Sequence, residues 1–517
     1  MSLSDPHRHP GPADASVPEG QGHYLPGEKN VPRQHRIFTN RNLRMDQIRA
    51  LGFDMDHTLA LYNRDTFEPL TFHMAVDNLT AELGYPEAIR SIEYDPDFTI
   101  RGLIVDKRYG NLLKMDFHSY IARAYHGLTP LTREKRKRWY RATKVSMRSS
   151  RYVSFDTFFS MPEGSLFAAL VQLKDTGGKQ GPLKDIPISR MYDDVRESVD
   201  KIHRDGSLKR VIMGDLSRYF IQDDTLQATL ERFRAGGKKL FLVTNSERGY
   251  TEAVLSHLLG RNGKSWHSLF DLIIVESMKP RFFMEKREAE EIPGGDGLVF
   301  AGGNASFTEE KLGARGEEVL YFGDHTYGDI LRSKKTVGWR TAMIVYELES
   351  EVLANKSQTY VLREIEDLSE RRMALDRDRD QLALLLSVMR RLHAGSPGNS
   401  RGVPPWAREY TRRELEDFQR CSPEEQEVRI GRLNNMVEGL DFLLQQTEAR
   451  AIELENQVAA AHNRLWGQTF REGNKLSRFG RQVRDFACIY TGRVSNFVHY
   501  PVNYYFIAPP ERLPHEV

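Results

Sequence analysis

The sequence has few cysteines, no long apolar run and no excess of charge of either sign. Its two cysteines, Cys421 and Cys488, exclude a disulfide framework and a cysteine-based zinc site. Because no uncharged apolar stretch reaches about 20 residues, a membrane-spanning helix is not expected. Neither is a secretory signal, because the first residues lack the basic and then apolar pattern. The 74 lysines and arginines balance 72 aspartates and glutamates, which gives no general attraction to nucleic acid. We therefore expect a soluble, cytoplasmic protein.

The sequence does contain short apolar strands that alternate with helices. The apolar runs cover residues 48–53, 239–243, 272–275, 318–322 and 341–345. Helical patterns separate several of these runs, for example at 225–234 and 250–259. This alternation predicts the α/β class, with a doubly wound, mostly parallel, Rossmann-like sheet. In such sheets, ligands bind beyond the carboxyl ends of the strands.

The spacing of the strands predicts five segments. The gap between the first two strands is too long for one crossover, so we predict an inserted cap at 65–225 within a catalytic core formed by 35–64 and 226–355. Apolar residues then recur every seven positions, which predicts two long helices packed as an antiparallel pair over 356–465, with a Gly/Pro/Ser-rich break at 395–405. The flanking predictions are a disordered tail at 1–34 and a segment that packs back on the core at 466–517.

Acidic side chains follow two of these strands. Phosphoryl transfer needs a nucleophile, a proton donor for the leaving oxygen and cations against the phosphoryl charge. We predict that Asp54 attacks phosphorus and forms an aspartyl-phosphate. Asp56 would protonate the leaving oxygen and then activate water. Mg²⁺ would be held by Asp54, Asp56, Asp324 and Asp329, with Asp324 as a direct ligand and Asp329 as a supporting partner.

Two further strand ends supply neutral and cationic groups. Thr244 and Asn245 end the second strand, where a hydroxyl and an amide can bind phosphate oxygens. Lys279 follows the third strand, where its ammonium can neutralise phosphate charge. Each pattern alone is more often a turn, a helix cap or a surface pair. Their occurrence in this order, all at strand ends, predicts a metal-dependent phosphoryl-transfer site.

The strand-end motifs resemble those of the haloacid dehalogenase superfamily, and within it the cytosolic purine 5'-nucleotidases. The segments that carry the resemblance are 52–60, 279–283, 323–335, 466–473, 482–483 and 500–516. It implies Mg²⁺-dependent hydrolysis of purine nucleoside monophosphates, IMP and GMP, with transfer of the phosphoryl group to nucleosides as a second reaction. It also implies a homo-oligomer, a dimer or tetramer, and a nucleotide effector near Tyr327 and Lys335.

The same resemblance implies which residues recognise the purine base. Phe159 matches the aromatic residue that stacks on the purine, and Ser160 stands where the family has asparagine. The other implied contacts are Arg196, Asp200, His203 and Lys209. Carboxylates accept from purine ring N–H groups, and guanidinium groups donate to O6 and N7. On the residues alone, however, a solvated i,i+4 ion pair is the favoured interpretation of Arg196 and Asp200.

The family pattern is broken at two other positions. His57 and Arg204 each replace a tyrosine of the family. The chemistry of the reaction is therefore better specified by the resemblance than the preference for a base.

Three other interpretations remain. The basic segment 133–151 carries aromatic residues, which is typical of an RNA contact, but a solvated helix on the cap is favoured and nucleic-acid binding is not expected. A phosphatase or phosphotransferase of this superfamily with another substrate would keep every motif. A non-enzymatic scaffold would use the helical pair for assembly, but it would have no need of intact Asp54 and Asp56.

Overall fold

The structure is a computed structural model that describes most of the chain. The described residues are 31–141, 145–260, 265–293, 298–395, 409–511 and 514–516. Most of the predicted tail and of the 395–405 break therefore lies outside the described residues. Among the described helices, none combines the length and the apolar character needed to cross a bilayer.

A nine-stranded sheet forms the centre of the fold. From one edge to the other its strands are β1 (Phe38–Thr39), β17 (Ile489–Thr491), β14 (Arg340–Ile344), β13 (Val319–Gly323), β3 (Ala50–Phe53), β9 (Lys239–Val243), β10 (Leu272–Val275), β12 (Val299–Gly302) and β11 (Ala289–Glu291). Neighbours are parallel from β17 to β12 and antiparallel at β1 and β11. The predicted α/β class and the mostly parallel sheet are confirmed.

The five predicted strands are the five adjacent central strands, from β14 to β10. Their apolar runs are continuous because almost every side chain in these strands is buried. Packing is tight enough to require a glycine in β3: a Cβ on Gly52 would lie 2.2 Å from the ring of Phe241 in β9. Because β3 and β9 are parallel neighbours, their carboxyl ends lie side by side at the site described below.

Helices surround the sheet and build the insertion. The described α-helices, in chain order from α1 to α14, are Arg64–Ala81, Arg133–Tyr140, Met161–Gly177, Ile188–Arg204, Ser207–Gly214, Leu216–Tyr219, Leu226–Ala235, Arg248–Leu259, Ala305–Leu312, Leu348–Ser357, Thr359–His393, Glu409–Arg420, Pro423–His462 and Arg478–Phe486. The predicted helices at 225–234 and 250–259 correspond to α7 and α8, and α8 begins two residues earlier than predicted.

The insertion between β3 and β9 has a sheet and a hydrophobic core of its own. The antiparallel sheet runs in the order β7 (Thr129–Pro130), β6 (Ile121–His126), β5 (Asn111–Met115), β4 (Ile104–Asp106) and β8 (Tyr152–Ser154). Helices α1, α3 and α4 pack together around buried residues such as Phe72, Phe167 and Tyr192. In the basic segment 133–151, the charged side chains of α2 are mostly exposed, while residues 142–144 lie outside the described part of the chain.

The two long helices α11 and α13 pack against each other along their length. Hydrogen bonds join Glu364 to Arg450, Arg379 to Asp441 and Arg390 to Asn434. The residue numbers rise on one helix as they fall on the other, so the helices are antiparallel, as the sevenfold repeat of apolar residues predicted.

The last segment of the chain contacts both the core and the insertion. Its strand β17 pairs with β14 in the central sheet. The buried Trp466 indole donates to the carbonyl of Phe98 at 2.6 Å, and Lys114 Nζ donates to the Trp466 carbonyl at 2.7 Å. Two small antiparallel pairs complete the fold: β2 (Leu43–Arg44) with β18 (Tyr505–Phe506), and β15 (Arg471–Glu472) with β16 (Lys475–Leu476).

Candidate active site

Three carboxylates lie together at the carboxyl ends of the adjacent parallel strands β3 and β13. Asp54 follows β3 directly, and Asp324 follows β13. Asp329 is brought back to the same place by the π-helical turn Thr326–Leu331. One oxygen of each carboxylate lies within 4.8 Å of the others, and all three residues are buried. We call Asp54, Asp324 and Asp329 the carboxylate cluster.

The ammonium of Lys279 bridges two members of the carboxylate cluster. Its Nζ lies 2.7 Å from Asp54 Oδ1 and 2.8 Å from Asp329 Oδ1. It also donates to the Tyr321 hydroxyl at 3.1 Å. Burial alone would lower the pKa of Lys279, but the attraction of Asp329 and Asp54 outweighs it and holds that pKa well above its usual value. Lys279 is therefore a fixed positive charge beside Asp54.

Three carboxylates against one ammonium leave an excess of negative charge in a buried place. Burial raises the pKa of Asp54 well above its usual value, and it raises the pKa of Asp324 to about 8. Asp324 Oδ2 is buried and has no hydrogen-bond partner among the described residues. A hard divalent cation fits this donor set, because it binds carboxylate oxygens and offsets two negative charges.

Hydroxyl groups hold the carboxylate of Asp56. Tyr62 donates to Oδ1 at 2.7 Å, and Ser246 donates to Oδ2 at 2.9 Å. The hydroxyl of Tyr62 is itself 2.7 Å from that of Tyr250. The side chain of Asp56 is not among the three clustered carboxylates. The carboxylate cluster therefore does not include Asp56, which was predicted as a metal ligand. Its roles as a ligand and as the acid remain predictions.

Thr244 and Asn245 follow β9 as predicted, and they have different partners. Thr244 is buried, and its hydroxyl accepts from the backbone N–H of Ser246 at 3.0 Å. Asn245 Oδ1 accepts from the backbone N–H of Lys279 at 2.6 Å and from the Ser277 hydroxyl at 2.9 Å. Asn245 Nδ2 donates to the Lys279 carbonyl at 3.2 Å. Asn245 therefore fixes the backbone that carries the ammonium, besides the predicted contact with phosphate.

The aromatic residue implied for base stacking lies close to the Asp54 turn. The Phe159 ring packs edge-to-face on His203 of α4 at 5.2 Å and on His57 at 4.6 Å. Burial lowers the pKa of His203 to about 4, so its ring is neutral at physiological pH. His203 Nε2 is buried without a hydrogen-bond partner among the described residues. The structure thus brings the predicted Phe159 and His203 together beside the turn that carries Asp54.

The other residues implied for base recognition lie on α4 and near it. Arg196 and Asp200 form the i,i+4 pair that the residues alone suggested, at 3.7 Å, and both side chains are about half exposed. Ser160 precedes α3, and its side chain makes no capping hydrogen bond. Lys209 Nζ lies 3.3 Å from Glu247 Oε2. Their contact with a base stays a prediction.

The two residues implied for effector binding lie on the segment that follows Asp324. Tyr327 is exposed, and its hydroxyl accepts from Arg332. Lys335 Nζ lies 5.9 Å from the centre of the Phe486 ring. Both remain candidates for an effector contact.

Several residues at the site were not predicted from the sequence. Ser246 directly follows the predicted Thr244 and Asn245, and Tyr62 lies eight positions after Asp54, so proximity to the motifs was a signal for both. Arg101 had no such signal. It lies far from every motif in the sequence, yet its Nη1 donates to the Asp324 carbonyl at 3.2 Å.

A doubly wound core with an aspartate, a threonine, a lysine and paired acids at successive strand ends is that of the haloacid dehalogenase superfamily, and the chain is a phosphoric monoester hydrolase of this class. Residues 37–517 match the 5' nucleotidase family, and the chain belongs to it. A 5'-nucleotidase domain-containing protein of Dictyostelium discoideum is 29% identical over 502 residues, which are 93% of this chain and 74% of that protein.

Solved structures similar to this chain include two β-phosphoglucomutases. The protein from a Pyrococcus species is 12% identical and aligns over 57% of this chain and 86% of its own, with a TM-score of 0.28. The protein from Clostridium difficile is 12% identical and aligns over 58% of this chain and 85% of its own, with a TM-score of 0.22. The assignment to the family rests on the family match and on the geometry of the site.

Proposed function

We propose that the chain is a Mg²⁺-dependent 5'-nucleotidase that hydrolyses purine nucleoside monophosphates, IMP and GMP, through an aspartyl-phosphate. The observation that carries the proposal is the buried carboxylate cluster with the Lys279 ammonium 2.7 Å from Asp54 Oδ1. The family resemblance adds transfer of the phosphoryl group to nucleosides, a homo-oligomeric state and a nucleotide effector. A phosphatase with another substrate is the second candidate, since the motifs specify the reaction better than the base.

In the proposed mechanism, the two oxygens of Asp54 have separate tasks. Oδ1 accepts from the backbone N–H of Met55 at 2.7 Å and from the ammonium of Lys279, which leaves Oδ2 to attack phosphorus. As the new bond forms, the ester P–O bond breaks and its electron pair goes to the ribose oxygen. In this mechanism the ammonium of Lys279 stabilises the charge of the phosphoryl oxygens. When bound by the carboxylate cluster, Mg²⁺ supplies further positive charge.

Asp56 transfers the protons in both steps, the formation of the aspartyl-phosphate and its hydrolysis. Its carboxylic acid protonates the departing ribose oxygen, and the resulting carboxylate then takes a proton from water. That water attacks phosphorus, releases inorganic phosphate and regenerates Asp54. Tyr62 and Ser246 each donate to one oxygen of Asp56, and these two hydrogen bonds restrain the rotation of its carboxyl group.

The decisive experiment is phosphate release across a panel of nucleoside monophosphates with Mg²⁺. We expect IMP and GMP to give kcat/KM about tenfold or more above the pyrimidine nucleotides, because a stacked purine and one specific hydrogen bond each contribute of the order of 1 kcal/mol. Equal rates on all nucleotides and on p-nitrophenyl phosphate would favour the second candidate. No phosphate release from any of them would support the scaffold.

The need for Mg²⁺ is expected to depend on pH. The pKa of Asp324 lies at about 8, so below that pH a cation must displace a proton from its carboxyl group. The Mg²⁺ concentration for half-maximal rate should therefore fall as the pH rises, by up to about tenfold per unit, and level off above about pH 8. Mg²⁺ titrations at several pH values measure this, with EDTA abolishing activity and added Mg²⁺ restoring it. A pH-independent requirement would count against Asp324 as a ligand.

Replacing Asp200 is expected to separate the recognition of the base from the chemistry. Asp200→Asn should lower kcat/KM for IMP about tenfold or more, because the amide cannot accept in the same way from a purine N–H group. Hydrolysis of p-nitrophenyl phosphate should change by less than about twofold. The matched control is Asp193→Asn, an exposed aspartate on the same helix that pairs with Lys107. Equal losses on both substrates would remove Asp200 from base recognition.

A further inference from the structure

We propose that Arg101 is a positioning residue that couples the seating of the insertion on the core to the assembly of the cation site at Asp324. The inference rests on the proposed function, since it assumes a divalent cation in the carboxylate cluster. Arg101 belongs to the insertion, whereas Asp324 belongs to the core. The polar partners of the guanidinium are Glu347 and Asp324, so its action on the reaction would be indirect.

The guanidinium of Arg101 joins the insertion to the core by two parallel hydrogen bonds. Its side chain is 0% exposed. Nε donates to Glu347 Oε1 at 2.6 Å, and Nη2 donates to Glu347 Oε2 at 2.5 Å. A buried charge is costly unless it is paired and its hydrogen bonds are satisfied, so this geometry favours one seating of the insertion.

The remaining arm of the guanidinium reaches Asp324. Nη1 donates to the Asp324 carbonyl oxygen at 3.2 Å and lies 3.9 Å from Oδ2 of the same residue. Arg101 therefore restrains the main chain of Asp324 and places a positive charge near the carboxylate oxygen that has no hydrogen-bond partner among the described residues. Only a planar group with donors in a fixed fork can bind Glu347 and Asp324 at once, which lysine cannot reproduce.

Two aromatic rings, one from the insertion and one from α14, contact the guanidinium. Its Cζ lies 4.4 Å from the centre of the Phe158 ring and 5.0 Å from that of Phe479 in α14. Phe158 directly precedes Phe159, the residue proposed to stack on the base. A continuous set of contacts thus runs from the base-stacking segment through Arg101 to Asp324. Such contacts around a metal ligand orient it and tune its affinity for the metal.

The test measures binding of a divalent cation without substrate. Mn²⁺ is titrated into the full-length protein and followed by electron paramagnetic resonance. Arg101→Lys keeps the charge and removes the fork, so any loss of affinity reports on positioning. We expect Mn²⁺ to bind about tenfold more weakly to this variant.

The matched control is Arg151→Lys. Arg151 also makes two hydrogen bonds to a buried carboxylate, that of Asp106, at 2.7 and 2.6 Å, and its Cζ lies 4.6 Å from the centre of the Tyr109 ring. All of these partners lie within the insertion. We expect this variant to bind Mn²⁺ within about twofold of the wild type. If Arg101 had a purely structural role, Arg101→Lys could lower Tm, but it would bind Mn²⁺ as tightly as Arg151→Lys does.

The outcomes separate this inference from the proposed function. If the wild type binds Mn²⁺ and folded Arg101→Lys binds it equally well, the inference is overturned and the proposed function stands. If the wild type binds no Mn²⁺, the cation dependence fails, and the inference fails with it. Should Arg101→Lys not fold, Glu347→Gln serves instead. It retains the shape of the partner, and we expect it to weaken Mn²⁺ binding about threefold or more; unchanged binding would overturn the inference.

Discussion

Replacing the nucleophile, Asp54→Asn, is expected to lower the rate of phosphate release by about 10³-fold or more and to leave the fold intact. The amide has no lone pair of comparable nucleophilicity to form the bond to phosphorus, so the covalent route is lost. The fold should persist because the substitution has almost the same shape and removes a carboxylate whose pKa burial already raises. Lys279 keeps its contact with Asp329 at 2.8 Å. Steady-state rates with IMP and a thermal unfolding curve measure the two effects.

A trapping experiment distinguishes loss of the nucleophile from loss of a ligand for the cation. Acid quenching of the wild type during turnover of labelled substrate should leave label on the Asp54 peptide, and Asp54→Asn should carry none. The matched control is Asp46→Asn, an exposed aspartate of the core that pairs with Arg44. It should retain wild-type turnover and labelling. Turnover by Asp54→Asn at the wild-type rate would show that another group attacks phosphorus.

The central strands could be predicted from the sequence because each is a continuous apolar run buried on both faces. The outer strands, those that lie beyond these five in the sheet, could not. β17 has three residues in a segment predicted only to pack back on the core, and its place in the sheet depends on pairing with β14. Likewise, no alternation of apolar and polar residues predicted the five-stranded sheet of the insertion. Its strands are two to six residues long. Such short strands owe their structure to pairing and packing with their neighbours in the sheet, which the local sequence pattern does not specify.

The candidate site, too, has features that the sequence predicts and features that it does not. Asp54, Asp324 and Lys279 were predictable because parallel strands deliver their carboxyl ends to one edge, so the motifs must meet there. The orientation of each side chain was not predictable. Asp56 faces the hydroxyls of Tyr62 and Ser246, although the sequence pattern placed it with the cation ligands. Such details depend on packing and hydrogen bonding across the fold, which spacing along the chain does not record.

The second large effect is expected from Lys279→Met, which should destabilise the protein by about 3–5 kcal/mol near neutral pH as well as abolish turnover. The side chain is 4% exposed, and its loss leaves Asp54 and Asp329 facing each other without the intervening charge. In the wild type, the pKa of Lys279 lies above its unfolded value, so the ammonium stays charged at and below neutral pH and loses its charge only in strong alkali. Urea unfolding of both proteins measures the difference.

The destabilisation by Lys279→Met should shrink as the pH falls. The Lys279 ammonium lowers the pKa of Asp54 against the effect of burial, so the substitution raises that pKa further. A carboxyl group whose folded pKa exceeds its unfolded value destabilises the fold above the unfolded pKa, and the penalty disappears as protonation becomes complete in both states. Lys238→Met is the control, because Lys238 is also buried but donates to the carbonyls of Met45 and Ile48. The loss of unfolding free energy in Lys238→Met should not become smaller at acidic pH. If the loss of unfolding free energy in Lys279→Met were also independent of pH, lost packing, and not the charge on the carboxylates, would make Lys279 necessary.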